Sequence, residues 1–119
     1  MNDLPLVDVA QLDRLIEWGG ADLKQKMIDL FLTHALERMD QIKEGLSTGE
    51  AEKAETGAHT LKSSAGNVGA VRVQHLAQKA EDLAEGGKLD ELQTLLPSLE
   101  EEFQAACDAL KALLEVVDP

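Results

Sequence analysis

An all-helical chain, folded as an antiparallel up-and-down four-helix bundle with a short extra helix at its N-terminus, is the fold class the sequence predicts. Three observations carry that expectation. Leu, Ala, Glu, Lys and Gln dominate while aromatics make up 3% and Tyr is absent, a balance that favours helix over strand. Apolar residues recur at alternating spacings of three and four along long seams, the period of one helix face. Gly-rich punctuation separates those seams by only a few residues, which suits antiparallel neighbours joined by short turns. At 119 residues the chain fits one domain spanning 1–119, large enough to bury a core without a disulfide or metal.

The elements follow in order. Over about 8–18, Val9, Leu12, Leu15 and Ile16 mark a short amphipathic helix that stops at Gly19 and Gly20 and would serve as a lid or brace. The bundle is expected over about 22–117. Its first helix, from about Asp22 to Leu46, carries Ile28, Leu32, Ala35, Met39, Ile42 and Leu46 on one seam and closes near Gly45 and Gly49. Ser47 and Glu50 have the spacing of a capping box for the next helix, which buries Ala51, Ala54, Ala58, Leu61, Ala65 and Val68 before breaking at Gly66, Asn67 and Gly69. Gly57, inside that helix, costs about 1 kcal/mol relative to Ala without an evident reason. A further helix, roughly Ala70 to Glu85, turns Val73, Leu76, Ala77, Ala80 and Leu83 inward and ends before Gly86 and Gly87. The last seam runs through Leu89, Leu92, Leu96, Leu99, Phe103, Ala106, Leu110, Leu113 and Val117. Pro97 falls inside it without breaking the phase, so one kinked helix is expected rather than two.

Charge narrows the function. A formal net charge of −12 argues against nucleic acid, whose phosphates are bound by Lys and Arg with release of counterions. Cys107 is the only cysteine, so no internal disulfide forms and a reducing compartment is expected. No basic-then-apolar leader and no bilayer-length apolar run is legible, so the cytoplasm is the expected location and no membrane partner is expected. Between Thr56 and Ala80 there is no Asp or Glu, where an even spread would put about five. Lys62, Arg72 and Lys79 are the charged residues of that window. An electropositive stretch in an acidic protein invites an anionic group or an acidic partner, and Arg72 and Lys79 are candidate contacts for one.

His59 lies in the middle of this window, one residue past the buried seam at Ala58, so its ring is expected to flank the core and reach solvent. Lys62, Ser63 and Gly66 follow at three, four and seven residues, on the same stripe. The stripe therefore combines a nucleophilic imidazole, an ammonium one turn away and two small positions that admit another protein. A neutral imidazole nitrogen can attack phosphorus near neutral pH, and the ammonium could offset the charge of the phosphoryl group once attached.

The run His59, Leu61, Lys62, Ser63, Ser64, Ala65 and Gly69 resembles the signature of the histidine-containing phosphotransfer (HPt) family: His, any residue, an aliphatic, Lys, Gly or Ser, two small residues, then Gly ten residues after the His. The amphipathic lead-in, the Phe31-Leu32 region, the turn from Gly45 to Gly49 and the stretch from Leu76 to Glu81 extend the resemblance over nearly the whole chain. It implies a four-helix bundle that carries a phosphoryl group on His59 Nε2 between receiver-domain aspartates, or from a histidine kinase, in a two-component phosphorelay. It further implies that Lys62 steadies the phosphoryl group and that Ser63 and Gly66 keep the docking surface low. Glu81 stands where some relatives hydrogen-bond the other ring nitrogen, which would fix the tautomer that leaves Nε2 free. Ser63 departs modestly from the commoner Gly, with altered partner fit as the expected consequence.

No Walker-type loop or G-x-G-x-x-G run is present, so a phosphoryl carrier without an ATP-binding kinase domain is expected, not a kinase. No cofactor is expected on the chain; Mg²⁺ and the acidic pocket for transfer are expected on the partner, a receiver domain of a response regulator or hybrid histidine kinase. A lone surface histidine is ordinarily a solvated side chain, and here the surrounding pattern outweighs that reading. His34, with Glu37, Arg38 and Gln41, and His75, with Arg72, Lys79 and Asp82, lie on polar stripes and receive no role. Cys107 reads as a half-buried small residue, and Glu100 to Glu102 as a solvated face. Lys62 has no carboxylate three or four residues away on its own helix and is expected to be free. Two rival functions differ in kind. A di-iron bundle enzyme needs Glu-x-x-His pairs, and no histidine here has Glu three positions before it. A helical adaptor that docks or sequesters a receiver without being phosphorylated would share the carrier's surface.

Overall fold

The computed structural model describes residues 4–115. Four helices follow one another: α1 (Val9–Thr48), α2 (Ala51–Asn67), α3 (Val71–Glu85) and α4 (Leu89–Glu115). Each packs on its neighbour in the chain and α4 returns to α1, closing the up-and-down bundle. Short turns make consecutive helices antiparallel neighbours.

The short N-terminal helix and the first bundle helix are not fully separate. They form one helical element of 40 residues, interrupted where Gly20 takes φ 76° and ψ −173°. A straight helix of that length would span about 60 Å, yet the longest extent of the molecule is 48 Å. The chain therefore bends at Gly20, a conformation open to glycine and costly to other residues. Asp8 caps the start, its Oδ1 accepting from the Ala10 N–H at 3.1 Å. The segment before it is strapped to the α2–α3 turn: the Asp8 N–H donates to the Gly69 carbonyl at 2.7 Å, and a Cβ on Gly69, whose φ is 74°, would stand 2.6 Å from the Asp8 carbonyl oxygen. Leu12 and Leu15 are buried, whereas Val9 and Ile16 face solvent.

The capping box does not form. Ser47 stays in the last turn of α1, Glu50 occupies the N-cap position without a side-chain cap bond, and its carboxylate instead accepts from the Thr48 hydroxyl at 2.6 Å. The close turn explains the substitution, because the Glu50 N–H already donates to the Gly45 carbonyl at 2.8 Å and backbone bonding replaces the box.

The core runs along the expected seams, except that Phe31 turns inward on α1 where Leu32 was expected. Ile28, Phe31, Ala35, Met39 and Ile42 of α1 meet Ala54, Ala58, Leu61 and Ala65 of α2, Val73, Leu76, Ala77 and Ala80 of α3, and Leu92, Leu96, Leu99, Phe103, Ala106 and Leu110 of α4. Leu32, Leu46, Ala51, Leu83, Leu89 and Leu113 sit at its margin, half-buried; Val117 lies outside the described residues. Phe31 and Phe103 pack at 5.9 Å between ring centroids. Pro97 is exposed and α4 runs through it as one helix. Cys107 is buried rather than half-buried, and burial pushes its thiol up to about 11, so it stays protonated near neutral pH.

Gly57 now has its reason. A Cβ there would meet the Arg38 carbonyl oxygen and Ile42 Cγ1 at 3.1 Å and Gln41 Cβ at 3.2 Å. The missing side chain lets α2 lie close against α1.

Candidate functional site

Helical phase decides which side chains of α2 can meet another molecule. Ala54, Gly57, Ala58, Leu61 and Ala65 are buried, so His59 and Ser63 fall on the outer face and Lys62 and Gly66 on the flank toward α3. The His59 side chain is 60% exposed, as its place one residue beyond the seam requires.

Two contacts come across from α3. His59 Nδ1 lies 2.8 Å from Glu81 Oε2, and Lys62 Nζ donates to Glu81 Oε1, also at 2.8 Å. One carboxylate thus uses each oxygen on a different residue. The Lys62 ammonium, and after it the His59 ring, hold the Glu81 carboxyl below the usual carboxylate range, against partial burial that works the other way. Ionised, a carboxylate only accepts hydrogen bonds. The hydrogen on Nδ1 therefore donates to Glu81, and in the neutral ring this leaves the lone pair on Nε2.

Lys62 is not free. Besides Glu81 it donates to Gln78 Oε1 at 3.0 Å, and its side chain is only 25% exposed. No acid lies nearby on its own helix, but the partner arrives from the neighbouring one, beyond the reach of a rule about spacings of three and four. Lys62 therefore does not stand as a free cation of the acid-free window. Glu81, the first residue after it, balances Lys62 where the two helices meet.

Arg72 is not brought to His59. Its Nε donates to the Leu4 carbonyl at 2.8 Å and its Nη1 lies 3.6 Å from Glu102 Oε1, so it ties the N-terminal segment and α4 to α3. Lys79 is exposed and makes no salt bridge among the described residues. Ser63 is exposed, its hydroxyl turned back to the His59 carbonyl at 3.4 Å. Gly66 is roofed by a side chain of α3: a Cβ there would meet Gln74 Nε2 at 2.9 Å.

Sequence reasoning missed Gln74 and Gln78 and gave Asp82 no role. The signal was present in the phase of α3, because burial of Val73, Leu76, Ala77, Ala80 and Ala84 leaves positions 74, 78 and 81 on the edge that faces α2. Of the other histidines, His34 is exposed with Nδ1 3.7 Å from Glu37 Oε1, and His75 is half-buried in a shallow hollow with Leu4, Lys62, Val71, Gln74 and Gln78. Among the described residues, no three His, Cys, Asp or Glu side chains converge as a metal site, and no helix is long and apolar enough to cross a membrane.

Comparison with known proteins bears on the family and the fold. Residues 26–115 match the family model of the Hpt domain. The fold is similar to the crystal structure of histidine-containing phosphotransfer protein B (HptB) from Pseudomonas aeruginosa PAO1, with a TM-score of 0.89 and 25% sequence identity over 96% of this chain and 98% of that one. No curated protein matches the sequence significantly.

Proposed function

This chain belongs to the Hpt domain family of phosphorelay proteins, and from that premise we propose that His59 is its phosphoacceptor, exchanging a phosphoryl group with the aspartate of a receiver domain. Hpt proteins are phosphocarriers, and the proposal extends that role to named residues of this chain and their work. The observation that carries it is the 2.8 Å contact between Glu81 Oε2 and Nδ1 of a ring that is 60% exposed.

In the step, the Nε2 lone pair attacks phosphorus of the partner's aspartyl phosphate. The N–P bond forms, the P–O bond to the aspartate breaks, and its electron pair stays with the released carboxylate. The ring takes positive charge with its hydrogen still on Nδ1, where Glu81 stabilises it, so no proton has to leave. Lys62 bonds an oxygen of the transferred group. Ser63 lets the partner close in, Gly66 makes room for the Gln74 side chain that covers it, Lys79 offers the partner a cation, and Arg72 contributes indirectly by holding the N-terminal segment in place. The divalent cation and acidic pocket belong to the receiver, and most of the rate comes from its alignment with Nε2. The same step run backward passes the group to the next aspartate. Receivers of response regulators and hybrid kinases share this chemistry, and the cytoplasm is the compartment the reading implies.

Incubation with a phosphorylated receiver domain is the test. Label should move onto this chain, be acid-labile and base-stable, and vanish in His59→Gln. Binding without label on any variant would mean an adaptor that sequesters the receiver.

A further inference from the structure

Beyond the carrier reading, on which it rests, one set of contacts on α3 has work of its own. Gln78 bridges two charged groups: its Oε1 accepts from Lys62 Nζ at 3.0 Å and its Nε2 donates to Asp82 Oδ1 at 2.9 Å. Only one orientation of the amide satisfies both. Rotated by half a turn, it would set NH₂ against an ammonium that cannot accept and a carbonyl oxygen against a carboxylate that cannot donate. Asp82 thereby decides which end of Gln78 meets Lys62.

We propose that Gln78, oriented by Asp82, is a positioning residue for phosphoryl transfer, holding the Lys62 ammonium beside His59 so that one of its N–H bonds is left for the phosphoryl group. An ammonium has three donors, and Glu81 and Gln78 take two. A lysine with Glu81 as its sole partner could swing about that single bond and would have to be ordered in each transfer event, because its long stem has much rotamer freedom to lose. Two acceptors from α3 fix it before the partner arrives. Gln78 touches neither the ring nor the phosphoryl group and acts through Lys62.

The experiment is single-turnover transfer from a phosphorylated receiver that loads the wild-type chain, followed over a range of receiver concentrations. Gln78→Met keeps length and helix propensity and removes the acceptor. Its limiting rate should fall about three- to tenfold, the scale of one charge-assisted hydrogen bond made imperfect, with the half-saturating concentration unchanged. In a Lys62→Ala background the same substitution should cost nothing further. Asp82→Ala should give a smaller loss of the same kind, absent once Gln78 is Met. A wild-type limiting rate in Gln78→Met overturns the inference, as does an equal loss with and without Lys62, which would mean that Gln78 acts elsewhere. Failure of every phosphorylated receiver tried to load the wild-type chain sinks the carrier reading and this inference with it; label on the wild type with either overturning result sinks this inference alone.

Discussion

At the scale of single residues, the division of Glu81 between two partners makes its replacement by Gln informative. The amide has one oxygen where the carboxylate has two. Facing an ammonium and an imidazole, it must give that oxygen to Lys62, which can only donate, and turn its NH₂ toward His59, which can switch tautomer and accept on Nδ1. The hydrogen then moves to Nε2 and the attacking lone pair is lost. Glu81→Gln should accept a phosphoryl group at least about tenfold more slowly, by analogy with other sites where an amide traps the wrong tautomer. Nitrogen NMR of His59 should show the exchange of tautomers directly; an unchanged Nδ1–H signal would refute the argument. The same substitution has a stability signature with a definite sign. Because Glu81 titrates below the usual carboxylate range in the folded protein, its contribution is fully present above the unfolded pKa of about 4.3. That contribution is lost as pH falls through the lower folded value. The stability gap between wild type and Glu81→Gln should therefore close in acid, below about pH 4.

At the scale of elements, helical phase carried most of what the sequence could tell. Ala58 beside His59 placed the ring at the surface, and the three-four seams placed nearly every core residue, because both depend on spacing within one helix. Lys62 shows the limit: its partners stand 16 and 19 residues on, so the phase of α3 marks them as flanking its buried face, while their pairing with Lys62 follows from how α3 packs on α2. Arg72 shows the same limit, since its partners are Leu4 and Glu102. Gly57 was illegible for a related reason, its purpose being the backbone of another helix. That purpose predicts its mutational cost. Leu at position 57 would drive a side chain into the Arg38 carbonyl, Gln41 and Ile42, and overpacking of this kind costs about 1–3 kcal/mol even though Leu is the better helix former. Urea unfolding of Gly57→Leu should show a lower midpoint with an unchanged slope; a midpoint at or above wild type would mean that α1 and α2 separate without loss.

At the scale of the whole molecule, the charge of −12 competes with the local neighbourhood of His59, and ionic strength decides which a partner meets. The shorter extents of the molecule are 26 and 22 Å. Around 0.01 M salt the screening length is about 30 Å, longer than the molecule is wide, so a receiver approaching His59 is exposed to nearly every acid on the chain. At 0.15 M it is about 8 Å, and only near neighbours count, where Glu81 offsets Lys62 and Lys79 remains as an exposed cation. An attractive window would make association slow as salt is added. Since Lys62 is neutralised by Glu81 and Arg72 is turned toward Glu102, the opposite follows for a receiver of net negative charge: the second-order rate of transfer, measured below saturation, should rise between 0.01 and about 0.15 M salt. It should then level off, because the remaining contacts lie within one screening length. A rate that falls over that range would show that the long-range field at His59 is positive despite the acids, and that the pairing of Lys62 with Glu81 opens as the partner arrives.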